Sequence, residues 1–366
     1  MEDWLSHYKD TSHFNLGESG MPDITVGELL RLCGENPETM TGLVLKDNDT
    51  RGTERLRHAI SKTYHPSISP DNITVTTGTS EALFILFNVL LHNRSSAVVP
   101  FPSFQALYEV PRALGTQLRL YHLTWENKFI PDPDELCNLI DDTTGVVVIN
   151  TPHNPSGIIF PQDIADMVIR KAAFHGAVVV SDEHYRFLPL NGLSPINSLA
   201  RLDENVVATG SITKCFGVIG LRMGWIVAPS ELIQKIRDFR DYLTHTLSPV
   251  SDYLATSVLE HAPVFIEPYI STIRENCGHL SLFARETRGI SVIPPEAGIV
   301  AFPRYDYPVR SSDFTMELVN NHGVFVLPGS SFEVENHFRI NLGQPPLHFQ
   351  EALSRIHEYC SSLVNA

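Results

Sequence analysis

The sequence predicts an α/β protein: a large domain with a mostly parallel, seven-stranded sheet between helices, and a smaller α+β domain. Three observations carry this expectation. Seven short apolar runs, rich in β-branched residues, recur between residues 73 and 228. Several have no polar interruption, as strands buried on both faces require. Helix-patterned segments separate them, and alternating β and α units imply a sheet covered on both sides.

The expected strands are 73–77 (ITVTT), 97–101 (AVVPF), 118–123 (LRLYHL), 146–150 (VVVIN), 177–181 (AVVVS), 206–210 (VVATG) and 224–228 (GWIVA). Between them, 80–92 (SEALFILFNVLLH) and 163–176 (DIADMVIRKAAFHG) carry helical spacing. A boundary helix is expected near 250–285. Beyond it, GIVAFPR and GVFVLPG read as short strands, and SDFTMELVNNHG and HFQEALSRIHEYC as helices. The expected division is 1–45 as an N-terminal arm and part of the small domain, 46–285 as the large domain, and 286–366 as the C-terminal small domain.

Composition narrows the function classes. The chain has 366 residues, 43% hydrophobic and 19% charged, which suits a soluble enzyme-sized protein. A formal net charge of −15 disfavours nucleic acid or an anionic membrane as the main partner. No signal peptide and no membrane-spanning run is read. The five cysteines are scattered without a C-x-x-C pair, which fits reduced thiols in a cytoplasmic protein. No metal site is read.

Polar groups follow four of the expected strands, where such a sheet gathers its ligands. TTGTSEAL places Gly78, Thr79 and Ser80 at a strand-to-helix turn, where free N–H groups can meet a phosphate. A plain helix cap is the alternative use. Ser211 and Arg222 could add a hydroxyl and a two-pronged cation to the same phosphate. Asp182 ends an apolar strand, where a carboxylate is costly unless paired. A protonated pyridine nitrogen would pair it; a loop-holding carboxylate is the structural alternative. Lys214 also follows an apolar strand, and desolvation would turn its amine into a nucleophile.

Together these residues resemble the fold-type I pyridoxal-phosphate enzymes of the class I/II aminotransferase family. The marks are Asn154-Pro-Ser-Gly157, Asp182 with Tyr185, Ser211-x-x-Lys214, and Arg222 eight residues after the lysine. They match in order and spacing over essentially the whole chain. The resemblance implies pyridoxal 5′-phosphate as cofactor, a small amino-acid substrate and a homodimer. It makes Lys214 the lysine that joins the cofactor. Asp182 would meet the ring nitrogen, Asn154 and Tyr185 the ring hydroxyl, and Phe104 the ring face. Gly78, Thr79, Ser80, Ser211 and Arg222 would serve the phosphate. Arg339, in FRINLG, would grip the substrate α-carboxylate, and the loop NLGESG with Gly20 would close over it.

Members commonly carry a tyrosine where this chain has Asp47, five residues before Gly52, and that tyrosine reaches the cofactor phosphate of the neighbouring subunit. An aspartate cannot serve a phosphate, but it could serve a cationic substrate tail. EDWL, GEL, GTERLR, PHNPSG and RDYLTHTLSP further resemble the branch that cyclises hydroxylated arginines to capreomycidine- or enduracididine-type amino acids in specialised-metabolite or toxin biosynthesis. A guanidinium needs a carboxylate, and Glu18 and Asp47 are the candidates, with Asp23 and Glu28 behind them. His184 or His13 would carry extra protons. Within the same resemblance, an aminotransferase of a cationic or aromatic amino acid and an arginine oxidase stay open. A DNA-binding regulator with this fold is disfavoured by the acidic charge and the complete lysine site.

Overall fold

The computed structural model describes residues 1–91, 96–200 and 205–365. His92, at the end of one expected helix, and Ala366 lie outside the described residues. All seven expected strands form: β1 (Ile73–Thr76), β2 (Ser96–Phe101), β3 (Gln117–His122), β4 (Thr144–Asn150), β5 (Val178–Asp182), β6 (Val206–Ser211) and β7 (Gly224–Val227). They make one sheet in the order β1-β7-β6-β5-β4-β2-β3. Only β7 runs antiparallel to its neighbours, β1 and β6.

The side-chain alternation of β4 shows why these runs are uninterrupted. Val146 and Val148 enter one core, with Leu83, Leu86 and Phe87 of the helix Thr79–Leu91. Val147 and Ile149 enter the opposite core, with Val168 of the helix Gln162–Phe174. Both faces are covered, so both phases of the strand are apolar. The outermost strand β3 is half-exposed and carries Gln117, Arg119 and His122. Charge on an edge strand blocks pairing with another chain.

The expected boundary helix is two, Pro249–Glu260 and the 25-residue Ala262–Glu286. After them, Val300–Ala301 and Leu327–Pro328 flank Phe338–Asn341 in a small antiparallel sheet. The helices Ser311–His322 and Pro346–Asn365 pack beside it. The N-terminal segment divides its contacts. Phe14–Asn15 pairs in parallel with Val324–Phe325 of the small unit. From Met21 onward the chain instead follows the large sheet. Met21 N donates to Lys214 O, Ile24 N to Gly217 O, and Glu35 accepts from Tyr253 and Ser257. Residues 15–24 thus run along the seam between the two units. Among the described residues, no helix is long and apolar enough to cross a membrane.

Candidate active site

Three adjacent strands end in a row of polar residues. The register sets Asn150 of β4 and Thr209 of β6 on either side of Asp182. Asp182 is fully buried. Its Oδ1 accepts from the Thr209 hydroxyl at 2.8 Å, and its Oδ2 from Asn150 Nδ2 at 3.3 Å. His184 Nδ1 donates to the same Oδ2 at 3.1 Å, leaving Nε2 for the cavity that the ring lines. Three donors make burial of this carboxylate tolerable.

A second cluster forms where the helix Thr79–Leu91 begins. Gly78 takes φ +88°, and a Cβ there would come within 2.8 Å of the Arg222 guanidinium. Arg222 itself is left-handed, at φ +49°. A non-glycine residue held there marks local strain of the kind functional sites keep. The Ser211 and Thr213 hydroxyls bond each other at 2.9 Å beside it. Thr79 Oγ1 is buried with no partner.

Between these clusters lies a cavity of about 550 Å³. Thr79, Ser80, Phe104, Ser211 and Arg222 line one side, and Asn154, Asp182, His184, Lys214 and Arg339 the floor. Glu18 and Gly20 border the opening. Tyr185 is fully buried outside the lining, its hydroxyl donating at 3.1 Å to the carbonyl of Ser19, a lining residue. Burial pulls the Lys214 ammonium from 10.5 down to about 8. The Arg339 guanidinium adds to this, and Glu18 opposes it. Arg339 is 1% exposed; it donates to Asn154 Oδ1 at 3.1 Å and to Gly17 O at 2.7 Å, while its Nε has no partner.

Residues 16–356 match the family Aminotransferase class I and II. The chain belongs to that family. Capreomycidine synthase of Streptomyces vinaceus is 32% identical over 362 residues, which are 98% of this chain and 92% of that protein. The solved structure of a PLP-dependent aminotransferase from Streptococcus suis 89-1591 superposes with a TM-score of 0.93 at 25% identity, covering 99% of this chain and 97% of that one. That of the PLP-dependent cyclase OrfR gives 0.90 at 27% identity, covering 99% and 96%. The architecture is fold-type I, the protein is a pyridoxal-phosphate-dependent enzyme, and pyridoxal phosphate is its cofactor.

For this member of the class I and II aminotransferases, the residues present fit that cofactor. The partnerless Thr79 hydroxyl, the open turn at Gly78 and the Arg222 guanidinium form an anion cradle at a helix N-terminus. The buried Asp182 offers a carboxylate to a protonated ring nitrogen. The cavity gathers nearly all the residues expected from sequence. Asp47 stands apart: it is exposed and does not line the cavity of its own chain. Glu28 and His13 also stay outside the lining, and the His13 ring packs on Phe14 and near His348.

Sequence reading missed Asn150, Thr209 and Glu2. The first two had a signal, since each is a polar residue in an otherwise buried apolar run. Glu2 had none. It lines the cavity because the helix Glu2–Tyr8 folds back over the opening, a tertiary placement.

Proposed function

We propose that this enzyme cyclises a hydroxylated L-arginine, eliminating water and adding a guanidine nitrogen to the carbon that lost it. We take 4-hydroxyarginine ahead of 3-hydroxyarginine as its substrate and an enduracididine- or capreomycidine-type amino acid as product. The observation that carries the reading is the cavity's acidic rim. Glu2, Glu18 and Asp23 line it, three acids against the one basic side chain, Lys9, in the N-terminal part of the lining. Glu2 and Glu18 both act electrostatically on Arg339 and Lys214. A site that combines a guanidinium for an α-carboxylate with acids along its rim suits an amino acid with a cationic tail. The similarity to capreomycidine synthase and to a PLP-dependent cyclase supports the same reading.

Each residue has a task in this scheme. Arg222, Ser211, Thr79, Ser80 and the Gly78 turn hold the cofactor phosphate. Asp182 keeps the ring nitrogen protonated, Asn154 and Tyr185 meet the ring hydroxyl, and Phe104 covers a ring face. Bound pyridoxal phosphate supplies an electron sink for charge developing at the substrate Cα. Arg339 holds the α-carboxylate. Lys214, with its lowered affinity for protons, takes the Cα proton near neutral pH. A γ-hydroxyl leaves only after a Cβ proton is also removed. His184, oriented through Nδ1 by Asp182, is our second proton carrier. The hydroxyl departs with a proton as water, and the guanidine nitrogen closes on Cγ to a five-membered ring, or on Cβ to a six-membered one.

The enzyme is proposed to work as a homodimer in the cytoplasm. Val44, Leu45 and Tyr242 are 70%, 78% and 90% exposed, which suits burial against a second copy. The five cysteines are unpaired, as in a reducing compartment. The test of the activity is dependence on a keto acid. The cofactor-loaded protein is expected to turn over 4-hydroxyarginine with no keto acid and no oxygen uptake. A strict keto-acid requirement would leave an aminotransferase instead.

A further inference from the structure

A second cleft, of about 630 Å³, shares no lining residue with the catalytic cavity. It opens at the carboxyl ends of β2 and β3, where Phe101–Pro102 and His122–Glu126 leave the sheet. Carboxyl ends of parallel strands are where α/β sheets receive ligands. The small unit closes its other side with 304–308 and 334–337.

Its chemistry is one-sided. Of its three carboxylates, Glu126 and Asp306 stand beside a single guanidinium, Arg304, and Glu335 accepts from Ser311 N at 2.7 Å. Arg304 lies over the Trp125 ring, 5.9 Å from its centroid, with Glu126 at 3.5 Å and Asp306 at 3.6 Å. The chain's own cation thus rests on an aromatic face between acids, and excess negative charge remains. An independent feature is His337, only 6% exposed in the wall. It is stacked on Phe302 at 4.8 Å, with Trp125 at 5.8 Å. Its Nδ1 donates to Glu335 O at 2.8 Å, which leaves a lone pair on Nε2, and Nε2 has no partner. Burial lowers its proton affinity, so the ring stays neutral at pH 7. A neutral acceptor shut in without a donor is a deficit that an N–H group could relieve.

We propose that this cleft is a second binding site, for a small planar cation with N–H donors, of amidinium or guanidinium type. The ligand takes the place that Arg304 holds over the Trp125 face, with Glu126 and Asp306 as the counter-charges and His337 as the buried acceptor. Binding there bridges the large sheet and the small unit. It also touches Pro102, whose carbonyl accepts from His153 beside Asn154 of the catalytic floor.

Benzamidine is the probe, because it has no carboxylate for Arg339 and no alkyl amine for the cofactor. The holoenzyme is titrated while the indole N–H resonances of its three tryptophans are followed, Trp125 being assigned with Trp125→Phe. The Trp125 resonance is expected to shift saturably, and that of Trp225, buried and bonded to Tyr64, to stay still. Neutral benzamide should bind about tenfold or more weakly, and so should benzamidine to the Glu126→Gln/Asp306→Asn variant. Glu18→Gln should leave benzamidine binding unchanged. The proposal is overturned if Trp125 does not respond at the solubility limit, if benzamide binds equally, or if Glu18→Gln abolishes binding.

Discussion

The floor and the rim of the catalytic cavity are built differently. The floor is made of strand ends, and Asp182 there is fully buried with three hydrogen-bond donors, two of them fixed by strand register. The rim is made of the helix Glu2–Tyr8 and the segment 18–23, with Asp23 exposed and Glu18 half-buried. Rigid, satisfied groups suit a cofactor whose chemistry is the same for every substrate. Adaptable acids on short segments suit the choice of substrate. On the proposed function, the family marks lie at the sheet ends and the choice of substrate falls to the N-terminal segment.

The most damaging change to the floor should be Lys214→Ala. Proton exchange at the substrate Cα should fall by roughly 10²- to 10⁴-fold, measured in deuterated buffer. A pH signature accompanies it. Burial lowers the folded-state value from 10.5 to about 8, so the protonated amine opposes folding of the cofactor-free protein. That cost is complete below about pH 8 and fades as pH rises towards 10.5. Cofactor-free Lys214→Met should therefore melt above the wild type at pH 7, with the gap narrowing at higher pH. Equal melting at both ends would contradict the burial.

Next comes Gly224→Ala. Its Cβ would lie 2.7 Å from Gly78 C and 2.9 Å from Thr79 N, displacing backbone in the phosphate cradle. Cofactor affinity should weaken about 10- to 100-fold by equilibrium dialysis, the loss of one or two hydrogen bonds to a charged group. Unchanged affinity would remove the cradle from the account.

Changes to the rim should be milder and selective. Glu18→Gln should raise KM for the cationic substrate about tenfold with kcat nearly kept, since the lost contact is uniform binding. A matching fall in kcat would move Glu18 into the chemistry. Asp47→Asn should raise KM less than Glu18→Gln does, since Asp47 lies outside the cavity of its own chain. An effect equal to that of Glu18→Gln would assign the site to two copies of the chain.

Much of the floor was legible in the sequence because it is local. Asp182 ends one strand and Lys214 follows another, each with an apolar run that can be read directly, and Arg222 stands at a fixed spacing after the lysine. Asn150 and Thr209 were within reach, since a polar residue in a buried run needs a partner. The rim was legible only in part. Glu18, with Asp23 behind it, came from the family resemblance, whereas Glu2 is an ordinary acid on a short helix that only packing along the seam between the units makes a cavity residue. Asp47, singled out by its departure from the family pattern, lies on the surface of its own chain, the position expected of a residue that serves the neighbouring subunit. The twofold division of the N-terminal segment was also hidden, because Phe14–Asn15 and Glu35 find partners hundreds of residues away.

The central claim is that rim and floor together turn a hydroxylated arginine into a ring. The most direct measurement is the mass of the product formed from 4-hydroxyarginine by the cofactor-loaded enzyme. The account predicts a product lighter by one water that keeps its α-amine. A keto acid with the hydroxyl retained would contradict it.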